Sequence, residues 1–198
     1  MNHANDNLTN AFRIVKQALD EASILMLDFD AEMISSESGF KSLHRGYEIG
    51  TESSNSLNVG EKWLKKYVMR YFLPKEQKND FEYLLGVSIA YNFENHPSES
   101  PKIIIGIIRN NSQKFKSDYW WIPFLYDSEK LHKYTPEVES REDLQPNTWY
   151  KVDPSPSDNS KMHVFERGYL YFRDMLDINS REDVHELAEK LKSKFKEI

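Results

Sequence analysis

The chain has 198 residues, a formal net charge of −6, 11 Phe, 11 Tyr, 4 Trp and no cysteine. This length and aromatic content predict one globular domain over residues 1–198, and the missing thiols exclude disulfides, thiolate zinc sites, iron–sulfur clusters and a cysteine nucleophile. The first ten residues lack the basic and apolar regions of a signal peptide, and no stretch reaches the roughly 20 apolar residues of a membrane span; the expectation is a cytoplasmic protein with no membrane attachment.

From the N-terminus, Leu8, Phe12, Val15, Leu19, Ala22, Met26, Phe29 and Met33 recur at alternating intervals of four and three. Ile14, Ala18 and Leu25 widen that stripe, which predicts a long amphipathic helix lying on a core. The competing reading breaks the helix near Ser23 and makes Ile24 to Leu27 a buried strand. Residues 35–60 are rich in Ser, Gly and Asn with little periodicity, and read as a long loop. Asn58 with Glu61 resembles a capping box. Trp63, Leu64, Tyr67, Val68, Tyr71 and Phe72 then predict a second helix over 61–73, with Lys62, Lys65, Lys66 and Arg70 on its other side.

Residues 81–94 carry the clearest signal. Phe81, Tyr83, Leu85, Val87, Ile89, Tyr91 and Phe93 hold every odd position, the period of a strand with one face on a core. Its second face is small in the middle, at Gly86, Ser88 and Ala90, so a backbone or a ligand can come close there. Ile103 to Ile108, interrupted only by Gly106, reads as a central strand paired to it. Tyr119 to Tyr126 is predicted as an edge strand because Pro123 cannot donate to a ladder. Residues 127–147 read as a surface excursion, and Thr148–Val152 and His163–Arg173 as further strands. Ser180 and Asp183 cap a C-terminal helix whose face is Val184, Leu187, Ala188, Leu191, Phe195 and Ile198. The sum is an α+β fold, an antiparallel sheet of about five strands packed against N-terminal and C-terminal amphipathic helices.

Charge is unevenly spread. Residues 20–37 hold six acids and no base, while residues 61–78 hold six bases against two acids. An apolar run followed by Asp28 and Asp30 resembles the strand-then-D-x-D nucleophile motif of haloacid-dehalogenase-type phosphatases, in which the first aspartate is phosphorylated and the second handles a proton. The likeness covers fewer than a dozen residues, Glu32 stands where Thr or Val is expected, and no later G-D-x-x-x-D follows. No EF-hand, H-E-x-x-H, G-x-S-x-G, P-loop or G-x-G-x-x-G pattern occurs, so no metal and no cofactor is expected. His163, flanked by Glu166 and Arg167 on a predicted strand, is the histidine best placed for chemistry.

Tyr119, Trp120, Trp121, Phe124 and Tyr126 form the densest aromatic cluster, suited to protein recognition on an edge strand. Lys66 and Arg70 sit among aromatics in the way nucleic-acid surfaces do, but the acidic total argues against nucleic acid as the partner. The expectation is a non-catalytic protein-interaction module of regulatory or immunity type, with Trp120, Trp121, Tyr126, Lys66 and Arg70 as binding residues. The alternative is an enzyme on a phosphate-containing or nucleic-acid substrate, using Asp28, Asp30 and His163. A small-molecule sensor built on Gly86, Ser88 and Ala90 is the third reading.

Overall fold

An unbroken helix, α1 (Asn2–Ile34), takes up the whole N-terminal repeat of fours and threes. The computed structural model describes residues 2–43, 48–50, 67–76, 82–91, 100–110, 144–153 and 165–198. At 1.5 Å per residue α1 is about 50 Å long, and its two halves differ. Ala22, Leu25, Met26, Phe29 and Met33 are buried in the core, whereas every residue from Thr9 to Ala18 is exposed. Ser23 does not break the helix; its exposed hydroxyl donates back to the Leu19 carbonyl at 2.9 Å within it. Leu25 and Met26 face inward and Ile24 and Leu27 outward, a segregation at helical spacing that a strand would not give.

Among the described residues the sheet has seven antiparallel strands: β1 (Phe40–Ser42), β2 (Glu48–Gly50), β3 (Tyr67–Pro74), β4 (Tyr83–Ala90), β5 (Lys102–Asn110), β6 (Trp149–Val152) and β7 (Phe165–Asp174). Their order is β1-β3-β4-β5-β7-β6, and β2 shares the outer edge of β3 with β1. β1 pairs with residues 72–74 and β2 with 67–69, so the sheet is six positions wide. The predicted loop over 35–60 therefore contributes two short strands. Gly39, at φ +73°, turns the chain from α1 into β1, a left-handed conformation that suits a residue without Cβ.

The predicted helix over 61–73 is corrected where the structure describes it. Residues 67–74 form β3, and residues 61–66 lie outside the described residues. A strand buried on both faces reads as a continuous apolar run, and such a run also contains apolar pairs four apart. In β3, Phe72 and Arg70 turn to one face and Met69, Tyr71 and Leu73 to the other, all buried. Its Tyr, Val and Phe content suits a pleated surface.

β4 shows the same double burial. Val87 lies between Arg70 and Ile105, and Gly86 between Tyr71 and Gly106. The alternation along β4 is one of side-chain size more than of exposure, since Leu84, Ser88 and Ala90 are as buried as Leu85 and Val87. The ends of the strand predicted over 81–94 fall short: β4 stops at Ala90, and Phe81, Phe93 and Glu94 lie outside the described residues.

The C-terminal helix, α2 (Arg181–Glu197), begins with the expected capping box. The Ser180 hydroxyl accepts from the Asp183 amide at 3.2 Å, and the Asp183 carboxylate accepts from the Ser180 amide at 2.9 Å. Both helices pack on one sheet face, where Leu85, Val87, Ile89, Ile103, Ile105, Ile107 and Tyr171 meet Met26, Phe29, Leu187 and Leu191 in a single core. On the opposite face Met69, Leu84, Ile104, Ile108, Leu170 and Phe172 are buried too. No helix among the described residues is long and apolar enough to cross a membrane.

Candidate functional site

The acidic stretch of α1 is where several suspected residues meet known partners. Residues two apart on a helix point roughly 200° apart, so Asp28 and Asp30 face different elements. Asp28 accepts from Arg181 of α2 at 3.1 Å. Asp30 turns to the sheet, where Arg70 of β3 donates to both its oxygens, Nε to Oδ1 at 2.7 Å and Nη2 to Oδ2 at 3.1 Å. One turn beyond Asp28, Glu32 meets His185 Nδ1 at 2.8 Å. The structure thus joins one residue suspected of binding, Arg70, to one suspected of catalysis, Asp30, as a largely buried ion pair (8% and 14% side-chain exposure). The carboxylates do not converge on one point as a phosphoryl-transfer pair would. They tie α1 to α2 and to β3.

Sequence reasoning found the acids but not their partners. Arg181 and His185 follow Asp28 and Glu32 by 153 residues each, and no local pattern reports a contact at that separation. Trp120, Trp121, Tyr126, Lys66 and His163 lie outside the described residues.

Along the α2 edge of the sheet a second cluster combines rings and cations. Lys194 stands 5.0 Å from the Tyr169 ring centroid and 6.0 Å from that of Trp149, and Lys190 is 5.8 Å from Tyr171. The Tyr171 hydroxyl donates to Asn147 Oδ1 at 2.8 Å, and burial raises its pKa. These contacts fasten α2 over β6 and β7. Each is of the modest strength expected for a partly exposed cation–π pair.

At the other end of β5, Lys102 donates to Asp174 at 2.8 Å, and the Ser100 hydroxyl donates to the same oxygen. Burial pushes the Asp174 carboxyl up, but these bonds outweigh it and hold it below its usual value. Among the described residues no three His, Asp or Glu side chains converge as a metal site requires.

On the outside of α1, Ile24, Leu27 and Ile34 are exposed at 61%, 56% and 42%, with Ala31 between them. Their spacing of three, four and three makes a second apolar ridge, directed away from the core. Phe12 (68%) and Val15 leave the N-terminal half of the first stripe open as well.

Comparison with protein-family models, with curated proteins and with solved structures found no match.

Proposed function

We propose that the protein is a non-catalytic recognition module, of regulatory or immunity type, that binds another protein through α1. The observation that carries this reading is the outward ridge Ile24, Leu27 and Ile34, which is held on a helix already docked to the domain. Contiguous apolar surface on a rigid element is characteristic of interaction sites, and ridges at three- and four-residue spacing fit the grooves of helical surfaces. Asp20 and Glu21 lie one turn before Ile24. Both already accept from side chains of the same helix, Asp20 from Lys16 and Glu21 from Gln17, so the partner that fits is defined by an apolar groove. The pairing of Asp28 and Asp30 with arginines and the contact of Glu32 with His185 support the same reading, since these acids already have an architectural task.

The test is affinity capture from native lysate with the wild-type chain and with Leu27→Asp, Trp120→Ala and Asp28→Asn variants of unchanged melting temperature. A specific partner lost with Leu27→Asp and retained with Asp28→Asn supports recognition through α1. Loss with Trp120→Ala alone moves the interface to the aromatic cluster. Phosphatase or nuclease turnover that vanishes with Asp28→Asn, with no partner recovered, overturns the reading in favour of an enzyme.

A further inference from the structure

No further inference is drawn: the strongest candidate, the open apolar stripe of Phe12 and Val15 on the N-terminal half of α1, is an unpartnered helix face, and nothing among the described residues shows what covers it.

Discussion

Arg70 holds both carboxylate oxygens of Asp30, and this contact, beside the packing of Phe29 on Phe72, keys β3 to the N-terminal helix. The pair lies beside Val87, opposite Arg70 in the β3–β4 register, and within two residues of the buried Phe29 and Phe72. A charge there is stable only while its counter-charge is present. Removing one partner should therefore do more harm than removing both. Arg70→Met is expected to cost about 3 to 5 kcal/mol, and Arg70→Met with Asp30→Leu distinctly less than the sum of the two single changes. Urea melts of the three variants measure this; simple additivity would mean that the two groups do not interact.

Ile105, at the centre of the strand order and fully buried, reports on the core. Ile105→Ala should lose about 2 to 5 kcal/mol. Phe12→Ala, on the exposed half of α1, should stay within about 0.5 kcal/mol of wild type. Denaturant midpoints that shift equally for both would contradict the assignment of buried and open halves.

The capping box at α2 gives a graded expectation. Ser180→Ala removes the acceptor for the Asp183 amide and should cost about 1 kcal/mol, whereas Ser180→Gly should cost only a few tenths. Thermal melts that rank the two the other way would remove the cap from the account of α2.

Acid should weaken the join between β5 and β7. Because the folded Asp174 carboxyl titrates below its usual 3.8, its contribution is complete above that value and is lost as pH falls through the lower folded value. The curve of melting temperature against pH should be shallower for Asp174→Asn than for wild type between about pH 4 and 2. Parallel curves would show that Lys102 and Ser100 do not hold the ionised form.

Amide hydrogen exchange should divide α1 near Leu19. Residues 9–18 have no buried side chains, while Ala22, Met26, Phe29 and Met33 sit in the core. The first group should exchange on the scale of local fraying and the second close to that of global unfolding. Uniform protection along the helix would mean that its N-terminal half is covered.

What could be read from the residues depended on whether a signal was local. The 4-3 repeat of α1, the run of isoleucines in β5 and the Ser180–Asp183 cap are local, and each marks its element. The helix predicted over 61–73, of which the described residues 67–73 form a strand, shows the limit: when both faces of a strand are buried, period two disappears into a continuous apolar run. β1 and β2, three residues each, are too short to show any period. The site was legible only as components. Asp30 and Arg70 each stand out in the sequence, but the Asp30–Arg70 contact depends on register and on contacts between distant segments.

The contact between the two terminal helices sets the order in which the chain can be completed. Asp28 and Glu32 wait for Arg181 and His185, so α1 leaves the ribosome well before its partner exists. Roughly 150 residues of synthesis lie between Ile34 and Arg181, on the order of 10 to 30 s at ordinary elongation rates. For that interval the stripe of Met26, Phe29 and Met33 has no α2 to cover it, and apolar helix surface stays exposed on the nascent chain. Translation rate over the last third of the message should then influence yield more than translation rate over the first.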